Sequence, residues 1–358
     1  MHNIVIIGAG LSGRGYLNRL LCLSNERVTF LDQNEELIEQ LQKEKQYTIA
    51  FGEERERLIV NNFDAYTMQD KQASKVLSNA DYIFICVGAN HVKELLEPIK
   101  DSLVNRAYKS LDIIVAENGI HPSAPLTPLK EDERVQLSEA VIFCTTLGTT
   151  NSLAIFSENL DHLPYDCVAL GHTLDFYGFI QEHKFPILLE RKIYTYNCIS
   201  ACIAYLGYIK GYKDYAKAAN DVFIDEKIKE IAEIVNQSIA KEYNIPLKEQ
   251  EEFSIMAMNK FKNKNIVDTV ERNVRDVERK LAKDERILAP LCIIEKHGLK
   301  SDALLEVCAC ALQYGIDTNT LSCKENYIET YFSVLPKDSR VKIASILISL
   351  HKEGESYT

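Results

Sequence analysis

The chain opens with a short apolar run, residues 3–7, that leads directly into a glycine-rich turn reading Gly8-Ala9-Gly10-Leu11-Ser12-Gly13. Residues 15–23, which follow this GxGxxG pattern, have helical spacing of their apolar positions. In a strand–turn–helix unit the first glycine makes a tight turn, the second lets the backbone approach a pyrophosphate, and the third lets the helix pack against the strand. The pattern therefore predicts a dinucleotide-binding turn with the phosphates at the helix N-terminus. The alternative is a glycine-rich turn that binds nothing.

Asp32 bears on which dinucleotide is bound. It ends the second apolar run, about 20 residues beyond the turn, where a carboxylate takes the ribose hydroxyls. A carboxylate at this place repels the 2′-phosphate of NADP, and the next residues, Gln33 and Asn34, supply no arginine to bind it. We therefore predict NAD as the cofactor.

Short apolar runs alternate with helix-period segments through the first half of the chain. The runs lie at residues 3–7, 27–31, 82–87, 111–116 and 141–145, and the helical segments include 15–23, 35–45 and 92–99. Strands without polar alternation that are separated by helices indicate a parallel sheet covered on both faces. Right-handed crossovers then make a Rossmann-type, doubly wound sheet.

The second half of the chain has a different pattern. Helical periodicity dominates from about residue 189 onward, at 192–207, 224–243, 271–282, 287–297 and 301–314. We predict an α/β dinucleotide-binding domain over residues 1–188 and a mostly α-helical substrate and catalytic domain over residues 189–358. Because the helical half could bury its own apolar faces without a partner chain, we expect a monomer.

Composition excludes several classes of protein. Of the 358 residues, 46% are hydrophobic and 26% charged, which is typical of a globular chain, and the formal charge of −11 argues against a broad nucleic-acid surface. No apolar run is long enough to span a membrane, and the first residues do not resemble a signal peptide. The ten cysteines form no CxxC pair and no zinc-spaced group. We expect a cytoplasmic, metal-free protein with a small-molecule substrate.

Several segments carry a family resemblance. They are residues 8–15, 28–32, Ala116-Glu117-Asn118, 190–197, 204–207, 225–228, Arg275, 279–281 and 284–286. Together they resemble the mannitol-1-phosphate 5-dehydrogenases, which belong to the polyol-specific long-chain dehydrogenases. The resemblance extends over nearly the whole chain. It implies a dehydrogenase that acts on the CH–OH group of a polyol or sugar phosphate, as in the interconversion of mannitol 1-phosphate and fructose 6-phosphate.

The family signature, Lys-x4-Asn-x2-His on one helix, falls on Lys192, Asn197 and Ser200. The resemblance implies that the lysine is the general base for the substrate hydroxyl, that the asparagine holds the developing oxyanion, and that the histidine helps to position the substrate. Ser200 departs from this pattern, because serine cannot carry a charge near neutral pH. A second departure is residues 148–151, which read Gly-Thr-Thr-Asn where the family usually has Val-Asp-Arg-Ile.

Spacing alone gives partial support to Lys192. At 100° per residue on an α-helix, Lys192 and Asn197 lie about 140° apart, and Ser200 shares the face of Asn197. A lysine that is buried has its pKa lowered by desolvation and can act as a base near pH 7 without a metal. The alternative is a solvated lysine at the start of a helix.

Other candidates lie at the ends of predicted strands. Gly88 and Asn90 follow one strand, and Glu117 and Asn118 follow the next, at the carboxyl edge where open α/β sheets bind ligands. We expect Gly88, Glu117 and Asn118 to lie near the cofactor, with plain strand-end capping as the alternative.

Cations recur on the predicted helix at 271–282, where a sugar phosphate could bind to guanidinium groups. From Arg272, Arg275, Arg279 and Lys280 we select Arg275 as the substrate-binding residue, and a salt-bridged, exposed helix is the alternative.

His183 is a candidate to occupy, in the folded protein, the place of the missing family histidine. Two further alternatives remain for the whole protein: an NAD-binding protein that has lost its activity, and a dehydrogenase for another sugar acid or sugar phosphate.

Overall fold

A computed structural model describes residues 2–52, 56–107, 109–149, 152–300 and 302–355, with side chains up to residue 351. Thr150 and Asn151, which belong to the second departure from the family pattern, lie outside the described residues, as does Ser301. The chain separates into two compact units, Met1–Leu189 and Glu190–Thr358. The roles that we predicted for residues 1–188 and 189–358 stay predictions.

The first unit is built on a parallel sheet of six strands in the order β5-β2-β1-β6-β7-β8. This is the doubly wound arrangement that the alternating pattern predicted, with the strand order reversing between β1 and β6. The strands of the unit are β1 Ile4–Ile7, β2 Val28–Asp32, β3 Tyr47–Phe51, β4 Glu56–Val60, β5 Phe63–Thr67, β6 Tyr82–Ile85, β7 Leu111–Val115, β8 Val135–Glu139, β9 Thr146–Gly148, β10 Ile155–Ser157, β11 Leu163–Asp166 and β12 Phe179–Glu182.

Burial on both faces explains why the central strands are apolar throughout. Successive side chains of a strand point to opposite faces, so Ile4 and Ile6 enter one apolar cluster while Val5 and Ile7 enter another. Both clusters are closed by helices that cross between the strands. The helices labelled in this part of the chain are α1 Asn18–Leu23, α2 Glu35–Glu44, α3 Lys71–Asn79, α4 Leu96–Val104, α5 Cys167–Leu170 and α6 Phe185–Arg191, with 3₁₀ segments at Ala89–Leu95 and Ala124–Glu131.

One strand prediction is wrong. Residues 141–145 are not a strand, although Val141 and Ile142 are buried. The N–H of Val141 donates to the carbonyl of Pro164 outside the main sheet, and the sixth strand is β8 instead. In β8 the apolar residues Val135 and Leu137 alternate with polar ones, a weaker signal than the continuous apolar run that follows.

The sequence patterns also missed two small sheets in the first unit. The strands β4, β3, β10 and β9 form a mixed four-stranded sheet, and β11 pairs with β12 in parallel. Several of these strands are only three or four residues long. Segments of that length do not establish a period of two.

In the second unit, the described residues contain helices and no strands of a sheet, in agreement with the predicted helical character. The helices are α7 Cys198–Ile209, α8 Tyr215–Ala219, α9 Val222–Tyr243, α10 Leu247–Lys262, α11 Val270–Val274, α12 Val277–Lys280, α13 Leu288–Lys296, α14 Asp302–Asp317, α15 Tyr327–Phe332 and α16 Lys337–Glu355. Almost every residue of α7 is buried, because it packs against α8, α9, α11 and α14.

The continuous helix predicted at residues 271–282 is wrong. Asp276 has φ +58°, a left-handed conformation that ends the α-helical path between α11 and α12. No glycine or proline marks this position, so helical periodicity runs through it in the sequence. Lys280 donates from Nζ to the carbonyl of Asn273 at 2.5 Å, which satisfies a backbone acceptor that the break leaves open.

Candidate cofactor and catalytic sites

The glycine-rich turn is held in one conformation by two glycines. Gly8 has φ +101°, and a Cβ atom there would lie 2.2 Å from the carbonyl oxygen of Cys86. A Cβ on Gly13 would lie 2.1 Å from the carbonyl oxygen of Gly8. These two positions therefore exclude any side chain for steric reasons within the protein itself.

Gly10 differs from its two neighbours in the pattern. No atom lies within 4 Å of where its Cβ would be, so nothing in the described protein demands a glycine there. Beside it is a cavity of about 180 Å³ lined by Gly8, Gly10, Asp32, Met68, His91 and Leu95. Open space at Gly10, next to a closely packed Gly8, is what a phosphate cradle requires, so the residues fit a dinucleotide.

Asp32 is fixed at the edge of this cavity by backbone donors. Its Oδ2 accepts from the N–H of Ala9 at 2.6 Å, and its Oδ1 accepts from the N–H of Asn34 at 2.9 Å. The remaining lone pairs of both oxygens can still accept from ribose hydroxyls. Leu11 begins the helical segment half-exposed, and Ser12 makes no side-chain capping bond.

Arg14 is a residue that the sequence analysis did not identify as functional. It is buried, and it donates from Nε to the carbonyl of Ala9 at 2.5 Å and from Nη1 to the carbonyl of Leu153 at 3.0 Å. It lies in a π-turn, Gly13–Leu17, which precedes α1. Arg14 therefore ties the glycine-rich turn to the chain before β10. The signal available in the sequence was a charged residue set between two glycines, Gly13 and Gly15.

Two strand-end loops meet at Glu117. Its Oε1 accepts from the N–H of Gly88 at 2.6 Å, which links the loop after β7 to the loop after β6. Burial raises the pKa of the Glu117 carboxyl, against the effect of hydrogen bonds from the backbone of Gly88, Asn118 and Val87. Asn118 is exposed beside it, as is Asn90 in the neighbouring loop. The structure brings Gly88, Glu117 and Asn118 together at the carboxyl edge of the sheet.

Lys192 and Asn197 bound a second π-turn, Lys192–Asn197, which we call the Lys192 turn. Here the N–H of Cys198 bonds to the carbonyl of Ile193, five residues back. The angular separation of about 140° assumed an α-helix and is therefore wrong. The backbone hydrogen bond of a π-turn joins residues five apart. Lys192 and Asn197 therefore lie closer to the same face of the turn than they would in an α-helix. Lys192 is buried, with 5% exposed, and Asn197 is half-buried.

Ser200 lies one turn beyond Asn197, on α7. The hydroxyl of Tyr215 is 3.0 Å from Ser200 Oγ and 3.1 Å from the Ser200 carbonyl oxygen. Tyr215 is itself buried, so this serine is anchored to α8. His183 is in the first unit, where its Nδ1 lies 3.4 Å from Cys167 Sγ.

The cations near residue 275 divide into exposed and buried. Arg275 has 63% of its side chain exposed and pairs with Glu271 at 3.3 Å. Arg272 and Arg279 pair with Asp268 and Glu285. Most of this cationic set is thus salt-bridged near the surface, as the alternative interpretation expected.

Lys280 is the exception, with only 7% exposed. Burial, together with the charges of Arg286 and Arg279, lowers the pKa of Lys280 to about 7. Its Nζ also lies 6.0 Å from the ring centre of Tyr205. Lys280 lies in α12, after the break at Asp276, and does not fit the alternative of an exposed, salt-bridged helix.

We expect the stability of the protein to depend on pH through Lys280. The unfolded lysine keeps its proton up to about pH 10.4, whereas the folded one releases it near pH 7, so the unfolded state binds more protons between these values. The free energy of unfolding therefore rises with pH in this window, by at most about 1.4 kcal/mol per pH unit from this group. Urea unfolding of Lys280→Met at pH 7 and 9 should show a smaller rise. Lys229→Met, at an exposed position on α9, should match the unaltered protein.

Two further findings concern the described residues as a whole. Among them, no three or more His, Cys, Asp or Glu side chains are grouped so that they could hold a metal ion. None of their helices combines the length and apolar character needed to cross a bilayer.

Comparison with known proteins decides the family. The model of the mannitol dehydrogenase Rossmann domain matches residues 2–147, and that of the mannitol dehydrogenase C-terminal domain matches residues 187–331. The mannitol-1-phosphate 5-dehydrogenase of Clostridium acetobutylicum is 32% identical over 312 residues, 79% of each chain. This chain belongs to the mannitol dehydrogenase family. The enzyme of that name from Thermoanaerobacter pseudethanolicus is 29% identical over 350 residues, 90% of this chain and 89% of its own.

Solved structures agree with the fold of a mannitol dehydrogenase family member. The Pseudomonas fluorescens mannitol 2-dehydrogenase, in a ternary complex with NAD and D-mannitol, superposes with a TM-score of 0.73 at 13% identity, covering 99% of this chain and 92% of its own. A substrate-free D-sorbitol dehydrogenase gives 0.66 at 11% identity, covering 87% and 80%.

Family membership confirms the predicted resemblance and the predicted enzyme class. The protein is an NAD(P)-dependent polyol dehydrogenase, an oxidoreductase that acts on a CH–OH group, with a Rossmann NAD(P)-binding domain.

Proposed function

We propose that the protein interconverts mannitol 1-phosphate and fructose 6-phosphate with NAD, using Lys192 as a general base that needs no metal. The observation that carries the proposal is the Lys192 turn, in which a buried lysine and an asparagine five residues on bound one π-turn. Relatives named mannitol-1-phosphate 5-dehydrogenase, 27–32% identical to this chain, support the substrate.

In the proposed reaction each group has one task. A nicotinamide dinucleotide held by the glycine-rich turn and Asp32 would supply the hydride transfer between the cofactor and the carbinol carbon. Lys192 takes the hydroxyl proton in oxidation and gives it back in reduction. Asn197 donates from its side-chain amide to the substrate oxygen as negative charge develops there. Placement of the reactants supplies several kcal/mol of the barrier reduction, and a positioned base about a further 10²- to 10⁴-fold.

Around these two residues, the proposal assigns supporting roles. Glu117 and Asn118 order the loop beside the nicotinamide, with Gly88 fixed to Glu117 by its N–H. Ser200 replaces the family histidine and orients substrate by a hydrogen bond only. Arg275 binds the substrate phosphate, since its guanidinium makes only one hydrogen bond among the described residues and keeps further donors for a ligand.

The first test is NADH oxidation with fructose 6-phosphate, run beside fructose and a hexuronate, and accompanied by a calorimetric titration with NADH. Turnover with the phosphate ester alone supports the proposal. Turnover with the hexuronate alone favours a sugar acid as the substrate. Tight NADH binding without turnover on any of the three favours another sugar acid or sugar phosphate as the substrate first, and a protein that binds NAD and has lost its activity second. A sedimentation measurement tests the monomer that we expect.

We further propose that Asp32 makes the enzyme prefer NAD to NADP. Its carboxylate is held at the edge of the cavity by Ala9 and Asn34, where it would repel a 2′-phosphate. In Asp32→Ser we expect the ratio of kcat/KM for NADPH to that for NADH to rise at least about 10-fold, because loss of this repulsion is worth about 1.4 kcal/mol or more. Glu36→Ser, on the exposed side of α2, is the control. An unchanged ratio in Asp32→Ser would place the ribose elsewhere.

A further inference from the structure

A fully buried amide lies directly behind the Lys192 turn. Gln250, on α10, is 0% exposed, and its Nε2 donates to the side-chain oxygen of Thr195 at 2.8 Å. Its Oε1 accepts from Nε of Arg191 at 3.0 Å. One side chain thus holds the residue just before Lys192 and the residue three after it.

The amide is itself held by a second one. Gln250 Nε2 also lies 3.3 Å from Oδ1 of Asn236 on α9, and Nδ2 of Asn236 donates to Oγ of Ser254 at 2.8 Å. Asn236 and Ser254 are buried as well. We call Thr195, Gln250, Asn236 and Ser254 the amide chain. It connects the Lys192 turn with two long helices of the same unit.

Arg191 is fixed independently of the amide chain. Its guanidinium carbon lies 4.9 Å from the ring centre of Phe253, and its Nη1 donates to Glu249 at 2.8 Å. Gln250 therefore bonds at one end to an arginine that also contacts two further residues of α10. At its other end it holds Thr195, which is 0% exposed in the middle of the π-turn.

Helix packing alone does not require such an arrangement. Burying polar groups is costly unless every one is hydrogen-bonded, and apolar side chains would join α9 and α10 at lower cost. A satisfied network instead fixes one geometry, since Gln250 loses its partner Thr195 if the turn changes shape. The group that it fixes is a π-turn, a conformation that is rare and occurs frequently at functional sites.

We propose that the hydrogen bond between Gln250 and Thr195 keeps the Lys192 turn in its π conformation, which makes Thr195 and Gln250 positioning residues for the reaction. This inference rests on the proposed role of Lys192. Without the hydrogen bond to Thr195, the turn relaxes toward α-helical geometry, and Lys192 and Asn197 move apart around the helix axis. Neither Thr195 nor Gln250 takes part in the chemistry.

The test compares two substitutions at one position. Thr195→Val keeps the shape of the side chain but removes the acceptor for Gln250, whereas Thr195→Ser keeps the oxygen. With fructose 6-phosphate and NADH, we expect Thr195→Val to lower kcat about 10- to 100-fold with the KM for NADH within about twofold, as for a misplaced reacting group. The midpoint of its pH–rate profile should also shift, because Lys192 changes its surroundings. Thr195→Ser should retain most of the activity and the original midpoint.

Ser254→Ala is the matched control, because it breaks the far end of the amide chain and leaves the bond between Gln250 and Thr195 in place. We expect it to reduce thermal stability but not kcat. Equal losses of kcat in Ser254→Ala and Thr195→Val would overturn the inference, since the network would then serve packing alone. Hydrogen–deuterium exchange in residues 192–198 gives a readout that needs no substrate. It should rise in Thr195→Val only, and unchanged exchange there would also overturn the inference.

Lys192→Ala, measured in the same assay, distinguishes the positioning role of Thr195 and Gln250 from the proposed role of Lys192 as a base. Turnover that is lost in Lys192→Ala but kept in Thr195→Val overturns the positioning role alone. Turnover that survives in Lys192→Ala overturns the proposed function of Lys192, and the positioning role with it.

Discussion

Lys192→Ala is expected to lower turnover with fructose 6-phosphate and NADH at least about 100-fold, the lower end of what a positioned general base contributes. The affinity for NADH should stay nearly unchanged, because the glycine-rich turn and Asp32, and not Lys192, are proposed to hold the cofactor. Steady-state kinetics together with calorimetric titration of NADH measure both quantities on the same preparation.

Two companion variants show whether the loss comes from proton transfer. Lys192→Arg keeps a positive charge of similar reach, but a guanidinium does not release its proton in a protein, so we expect it to be as inactive as the alanine variant. Lys229→Ala removes an exposed lysine of α9 and should leave turnover unchanged. If the affinity for NADH falls as much as turnover does in Lys192→Ala, then the lysine serves cofactor binding and the role proposed here is wrong.

The parallel sheet could be predicted because its strands are buried on both faces. Such strands are apolar over their whole length, and β1, β2, β6 and β7 were therefore recognisable from residues 3–7, 27–31, 82–87 and 111–116. β8 was not, because Gln136 and Ser138 interrupt its apolar residues. Because the apolar run that follows β8 is buried, we predicted a strand at residues 141–145. The backbone of Val141 instead bonds to Pro164, outside the main sheet. The composition of a short run indicates whether its residues are buried. It does not indicate whether their backbone pairs with a neighbouring strand.

The residues of the candidate site could also be predicted only in part from the sequence. Lys192 and Asn197 were identified by family resemblance, and their spacing of five fits an α-helix poorly. That poor fit was the one sequence signal of the π-turn. Gln250 carried no signal at all, because it lies 55 residues from Thr195 and its role depends on how α10 packs. Long-range polar contacts of this kind follow from the packed fold and have no local pattern.

Gly10→Ala is expected to weaken NADH binding at least about 10-fold while leaving the fold intact. The methyl group meets no protein atom within 4 Å, so the thermal midpoint should stay close to that of the unaltered protein. It does, however, fill the space into which a pyrophosphate would come. Losing one charge-assisted hydrogen bond there costs about 1.5–3 kcal/mol, which raises the Kd for NADH at least about 10-fold.

Gly8→Ala is the matched comparison for Gly10→Ala, because it is expected to lower the stability of the fold. Its Cβ would lie 2.2 Å from the carbonyl oxygen of Cys86, on a backbone with φ +101° that side chains rarely adopt. The strain alone costs about 1–3 kcal/mol, and the steric overlap adds to it, so this variant should unfold at lower temperature or fail to accumulate. Calorimetric NADH titration and thermal unfolding of both variants separate the two effects. If Gly10→Ala binds NADH normally, the open space beside Gly10 does not hold the phosphates. If Gly8→Ala has a normal thermal midpoint, the turn adjusts to a side chain at that position. Only the combination of a stable Gly10→Ala with weakened NADH binding and an unstable Gly8→Ala assigns the first glycine to the fold and the second to the cofactor.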